Sequence, residues 1–253
     1  MKVIAVINQK GGVGKSTTTI ELANIIASKG KRVLLLDLDP QRNTTKYVGA
    51  DFSKPSIYEV LHAEKHIRDA IQKCGRIDVI ASSEDLSKAD RQFIDHDDIY
   101  LLSDIIGFVA EDYDYVFIDN APARNVLLTM TYVATDYVII PAEADDGAID
   151  GVDAVNKDIF KYRQSKRPIT QAKIAMVILN KLRTSNLNNE TIELLEQKCA
   201  EYDDKPVLSI VRLSVAASEC KFFKESVMDY APNNNVTKDF QEAADKLLER
   251  IGE

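Results

Sequence analysis

Cysteine is scarce and badly spaced for chemistry. Cys74, Cys199 and Cys220 form no CxxC pair. That argues against a zinc site or an iron–sulfur cluster, and so against a reductase of the nitrogenase iron-protein type. Free thiols in a reducing cytoplasm are the plain expectation. Long apolar runs are missing too. VLLL at 33–36 and YVII at 137–140 suit buried strands and fall far short of the ~20 residues that span a bilayer. No internal repeat, low-complexity tract or long Gly/Ser/Pro linker interrupts the chain, so a single domain over 1–253 is the simplest organisation. The chain opens at once on strand-like KVIAVI, and no signal peptide is expected ahead of the fold. Acid is absent from Ile159 to Asn189, where Lys161, Arg163, Lys166, Arg167, Lys173, Lys181 and Arg183 stand. Glu190, Glu193, Glu196, Glu201, Asp203 and Asp204 follow. On a chain of net charge −8, this allows a local basic face within an acidic whole.

What is present alternates regularly. Strand-like runs fall at 2–7, 32–38, 76–81, 114–119, 136–141, 173–179 and 207–211. Helical patterns lie near 15–29, 97–111, 124–134, 147–163, 186–201 and 236–251. Repeated β-then-α order with continuous Val/Ile/Leu strands predicts an α/β fold, a doubly wound, mostly parallel sheet flanked by helices. The stretch 40–75 is less regular and is expected to be surface elaboration.

Strand KVIAVIN, then QKGGVGKST, then a helix closed by Gly30 is the setting of a P-loop NTPase. Glycines let backbone N–H groups converge on phosphate oxygens, and the helix N-terminus adds a positive dipole end. Gly11, Gly12, Val13, Gly14, Lys15, Ser16 and Thr17 form the expected nucleotide cradle. Lys15 would reach the β- and γ-phosphates, Ser16 would ligate Mg²⁺, and Thr17 would contact the α-phosphate. Two strand ends offer carboxylates on the edge where such sheets bind ligands. Asp37 and Asp39 close VLLLDLD, and Asp119 closes YVFID. Asp119 reads as the Mg²⁺-holding acid.

The strict pattern GxxxxGK[ST] fails because Gln9 occupies its first glycine. KGGVGKST resembles instead the deviant Walker A motif of the ParA/MinD family of ATPases. DLDPQRN (37–43) is similar to the family's DxDPQGN. SSEDLSKAD (82–90), PAEADDGAIDGV (141–152) and VRLSVAASECKFFKESVMDYAPNNN (211–235) resemble further ParA/Soj segments. The likeness covers nearly the whole chain and points to DNA segregation, in the cytoplasm and on the nucleoid. It implies that Lys10 crosses an ATP-dependent homodimer interface to the neighbour's phosphates, with Lys10, Lys15 and Asp39 the catalytic set. Asp39 positions the attacking water, and Ser16, Asp39 and Asp119 gather around the metal. Asn180 hydrogen-bonds adenine. The ATP dimer binds DNA without sequence preference through basic residues, here Arg183, Arg212, Lys221 and Lys224. A ParB-like centromere-binding protein stimulates slow hydrolysis. Arg42 stands where the family has glycine; phosphate, a partner or solvent are open to it, with solvent the default. Ala121 replaces the first proline of the family's DxPP. The alternative is a MinD-like membrane-cycling ATPase, which would need a basic amphipathic C-terminal helix. Here 236–251 places Val236, Phe240, Ala243, Leu247 and Ile251 on one face, with acids and bases mixed on the other. A helix docked on the core, with no membrane contact, is the expectation.

Overall fold

The computed structural model describes residues 1–145, 147–183 and 186–252. Eight strands form one sheet: β1 (Lys2–Val6), β2 (Val33–Asp37), β3 (Ile71–Cys74), β4 (Ile77–Ile80), β5 (Tyr115–Asp119), β6 (Tyr137–Glu143), β7 (Lys173–Leu182) and β8 (Val207–Arg212). Their order is β3-β4-β2-β5-β1-β6-β7-β8. Every pairing is parallel except β3 with β4. β1 lies between β5 and β6, so the chain moves to opposite sides of it in successive crossovers. That is the topological switch point where open α/β sheets bind ligands.

The helices are α1 (Lys15–Ser28), α2 (Asn43–Val48), α3 (Ile57–Leu61), α4 (Ile67–Ala70), α5 (Ala89–Gln92), α6 (Leu101–Gly107), α7 (Val126–Ala134), α8 (Ala148–Arg163), α9 (Asn186–Glu201), α10 (Ala216–Phe223), α11 (Val227–Tyr230) and α12 (Asn235–Arg250). Strand side chains alternate between the two faces. Ile4, Val6, Leu35, Phe117, Ile139, Met176 and Val211 pack with α1 and α12. Val3, Ala5, Leu34, Leu36, Val116, Ile118, Val138 and Val177 pack against α6 to α9. The doubly wound sheet expected from the sequence is thus present, with every expected strand in place.

Two expectations need correcting. Residues 40–75 are no surface elaboration: Thr44, Thr45, Tyr47, Ile57, Val60, Leu61 and Ile67 are buried, and β3 closes one edge of the sheet. The helix expected over 97–111 is a 3₁₀ turn, Asp98–Tyr100, running into the shorter α6. The C-terminal helix behaves as expected. Val236, Phe240, Ala243, Leu247 and Ile251 are all 5% exposed or less, sealed against the sheet. No apolar face of α12 is left for a bilayer, and no helix among the described residues is long and apolar enough to cross one.

One buried carboxylate ties three elements together beside the site. Glu21 of α1 accepts from Tyr47 Oη of α2 at 2.6 Å and from the Val227 backbone N–H of α11 at 2.9 Å. Tyr47 Oη also lies 2.9 Å from Cys220 Sγ of α10. Burial pushes the Glu21 carboxyl up to about 7, against the pull of those hydrogen bonds. The folded state therefore holds this proton more tightly than the unfolded chain does. Its share of stability is present at acid pH and declines as pH rises from the ordinary carboxylate range to about 7, by up to about 3 kcal/mol. Denaturant unfolding at pH 5 and pH 8 checks this: Glu21→Gln, which stays neutral, should lose less stability over that interval than the wild type.

Candidate active site

The loop between β1 and α1 is shaped by contacts to its own backbone. Asn8 starts the turn: its Oδ1 accepts from the Lys10 N–H at 2.8 Å, and its Nδ2 donates to Pro141 O at 2.7 Å. Gly12 and Gly14 take φ values of +82° and +91°, which side chains rarely tolerate. At Gly14 space forbids a side chain as well, since a Cβ there would lie 2.8 Å from Asn180 Nδ2. Three side chains engage three of the loop carbonyls. Lys15 Nζ donates to Lys10 O at 3.0 Å, Lys181 Nζ to Gly12 O at 2.7 Å, and Asn180 Nδ2 to Val13 O at 2.9 Å. The peptide N–H groups are left facing inward, at the N-terminus of α1, as an anion cradle.

That cradle is one wall of a cleft of about 470 Å³, lined by Gly11, Gly12, Gly14, Lys15, Ser16, Thr17, Asp39, Gln41, Asn43, Lys46, Tyr47, Pro122 and Lys221. Burial lowers the Lys15 pKa, and the charges of Asp119 and Asp39 oppose that. Across the cleft, Asp39 Oδ1 accepts from the Gln41 N–H at 2.9 Å, which directs the carboxylate inward. Behind it, Asp37 and Asp119 are paired neighbours on β2 and β5, both fully buried. Asp37 Oδ2 accepts from Thr45 N–H at 2.8 Å and from Thr45 Oγ1 at 2.7 Å, and Asp37 Oδ1 accepts from the Asp39 N–H at 3.0 Å. Asp37 thus anchors the switch-like segment 39–45. Asp119 Oδ2 accepts from Thr44 Oγ1 at 2.6 Å, and the Ser16 hydroxyl lies against the same carboxylate. Asp119 Oδ1 is buried without a hydrogen-bond partner. Burial raises both acids above the usual carboxylate range, and for Asp37 the charge of Asp119 adds to it. A buried acid beside a hydroxyl, with an unused oxygen, fits a hard divalent cation, whose charge offsets that penalty.

The outer residues are placed less as expected. Lys10, next in the chain to Gly11 of the cleft wall, is ion-paired with Asp145 of its own chain, beyond β6. Asn180, 3% exposed, gives both amide hydrogens to Val13 O and Thr18 Oγ1 (3.0 Å). It holds the loop rather than presenting those donors to a base. A second, mainly apolar cavity lies alongside, and Asn180 itself is part of its wall, with Gly14, Thr17, Lys181, Val211, Arg212, Leu213, Ser214, Ala217, Lys221 and Phe240. The four expected DNA contacts do not share one arrangement. Arg212 is clamped to Asp239, with Nε donating at 2.9 Å. Lys221 faces the cleft. Lys224 is exposed at the end of α10 with its stem against Gly49. Arg183 is exposed just beyond β7. The acid-free stretch is partly neutralised from outside it, since Asp204 pairs with Arg163; residues 184 and 185 lie outside the described residues. Arg42 is not simply in solvent. It has φ +58°, where glycine is favoured; its guanidinium lies 4.8 Å from the Phe52 ring centroid and pairs with Glu84. The sequence reading missed Lys181, Thr44, Thr45 and Asp145. Only the neighbouring motifs point to them, because each acts through a contact distant in sequence.

Comparison with known proteins follows the same lines. Residues 1–174 match the AAA domain family AAA_31. The chromosome partitioning protein ParA of Caulobacter vibrioides (strain NA1000 / CB15N) is 32% identical over 237 residues, which cover 91% of this chain and 87% of that one. The crystal structure of a plasmid partition protein from Borrelia burgdorferi is 26% identical, with a TM-score of 0.79 over 98% of each chain. The ATP complex of a variant of Cyanothece McdA matches the fold with a TM-score of 0.86 over 100% of this chain and 96% of that one, at 21% identity. A P-loop sheet with its acids in register and relatives of this similarity lead to one conclusion: the chain belongs to the ParA family of P-loop ATPases.

Proposed function

We propose that this protein is a partition ATPase. It binds ATP with Mg²⁺, forms a homodimer across the two nucleotides, binds DNA without sequence preference in that state, and hydrolyses ATP slowly until a ParB-like partner stimulates it. The observation that carries the reading is one cleft where the loop amides, Lys15, Ser16 and Thr17 face Asp39, with Asp119 beneath. Lys15 and the loop N–H groups bind and orient the β- and γ-phosphates. Ser16 and Asp119 would hold Mg²⁺, with Asp39 close by, and the metal supplies charge neutralisation to the phosphoryl group. Asp39 orients water and accepts its proton late in a loose transition state. Among the described residues no arginine lines the cleft, which supports slow turnover, since an arginine finger contributes about 10³–10⁵ in rate.

The second lysine supports the dimer. Within one protomer Lys10 neutralises Asp145; across a dimer it would exchange that carboxylate for a neighbour's triphosphate. Residence on the nucleoid follows from the DNA reading; Arg183, Arg212, Lys221 and Lys224 are all exposed, and of these Arg212 is already paired with Asp239.

Nucleotide binding should vanish in Lys15→Ala, and single-turnover hydrolysis should fall ~10²-fold in Asp39→Ala with ATP still bound. Lys10→Ala should bind ATP yet stay monomeric with ATP in light scattering; normal ATP-dependent dimers would remove the trans role. DNA affinity should need ATP and fall with salt, with a log–log slope of about −0.9 per phosphate contact. A filter-binding series with ATP, ADP and no nucleotide reads both at once.

A further inference from the structure

Two cavities meet beside the loop. The phosphate cleft and the apolar cavity next to it share three wall residues: Gly14, Thr17 and Lys221. Gly14 and Thr17 belong to the P-loop and the first turn of α1. Lys221 faces them from α10. Beyond this boundary the second cavity is lined by Val211, Leu213, Ala217 and Phe240, surfaces suited to a base. A nucleotide with its terminal phosphates on the loop and its base in that cavity passes its ribose and α-phosphate between Thr17 and Lys221.

Lys221 is built into this boundary. Its Nζ lies 5.7 Å from the centroid of the Tyr47 ring, a cation–π distance. Tyr47 is itself 6% exposed and fixed by its hydroxyl on Glu21. When ionised, Glu21 attracts the ammonium, and Lys181 repels it. Among the described residues Lys221 makes no direct ion pair, unlike Arg212 beside it, which is clamped to Asp239. Lys221 is exposed to the cleft, so an anion arriving at the boundary meets an ammonium with donors to give.

We infer that Lys221 is a nucleotide-binding residue, whose ammonium contacts the α-phosphate and ribose side of the bound nucleotide. The inference rests on the ATPase reading and deepens it. Lys221 would then serve ADP as well as ATP, unlike Lys10, whose partner is the triphosphate of a neighbour. It also moves Lys221 out of the DNA-contact set to which the sequence assigns it.

The test is equilibrium binding of Mg·ATP and Mg·ADP to the full chain, as wild type, Lys221→Met and Lys221→Arg. The Met variant keeps the aliphatic stem and removes the charge. It should lose about tenfold in affinity for both nucleotides, the loss of one charge-assisted hydrogen bond, with the ATP-to-ADP ratio unchanged; the Arg variant should recover most of it. On the wild type, ADP should protect Lys221 from amine acylation, read by peptide mass spectrometry, which needs no variant to fold. Affinities within twofold of wild type, or no protection by ADP, would overturn the inference. So would a loss confined to ATP, which would put the ammonium on the γ-phosphate, or a loss of DNA affinity alone at saturating nucleotide. A wild type that binds neither nucleotide overturns the ATPase reading itself, and the inference with it.

Discussion

A phosphate-binding loop works only if its peptide N–H groups point inward, and then its carbonyls must point somewhere else. Here they point at three donors. Lys15 reaches back to Lys10 O from the helix that follows the loop. Lys181 and Asn180 reach Gly12 O and Val13 O from the end of β7. The positive φ values of Gly12 and Gly14 are thereby held by the sheet rather than by the loop alone. The last turn of β7 departs from regular pairing with β8 between Leu179 and Leu182, and Lys181 takes φ +56°. A local irregularity in one strand is how the fold aims two adjacent side chains at the same loop.

The second constraint is the set of carboxylates behind that loop. Parallel register sets Asp37 directly beside Asp119, and burial makes ionisation of both unfavourable. The threonines of α2 divide them. Thr45 serves Asp37, while Thr44 serves one oxygen of Asp119 and leaves the other unused. The short helix α2 is therefore part of the site: Thr44 and Thr45 fix the acids, and Tyr47 on the same helix forms the wall under Lys221.

Much of this was legible in the sequence. The strands were, because buried parallel strands read as unbroken apolar runs. The loop and its acids were, because glycines, lysine and strand-end aspartates hold fixed spacings. β3 was not: Ile71, Gln72, Lys73 and Cys74 show neither an apolar run nor an alternation, since the polar Gln72 is the buried one, and four residues carry little signal. The helices of 40–75 were missed although Ser56 and Glu59 form a capping box, a pattern visible in SIYE. The orientation of Asn180 was illegible, since base and loop carbonyl compete for one amide and only the fold decides. Arg42 was misjudged because its partners, Phe52 and Glu84, come from separate segments.

The Lys10–Asp145 contact has a consequence for a dilute solution of this protein. In a solitary protomer the Lys10 ammonium is already answered by a carboxylate from the same chain. In the proposed dimer, self-association would have to outcompete that internal bond, and the competitor would improve with each added negative charge on what the neighbour holds. Fuel state would then set how much cell concentration association needs: where fuel is exhausted, only far more crowded copies would pair.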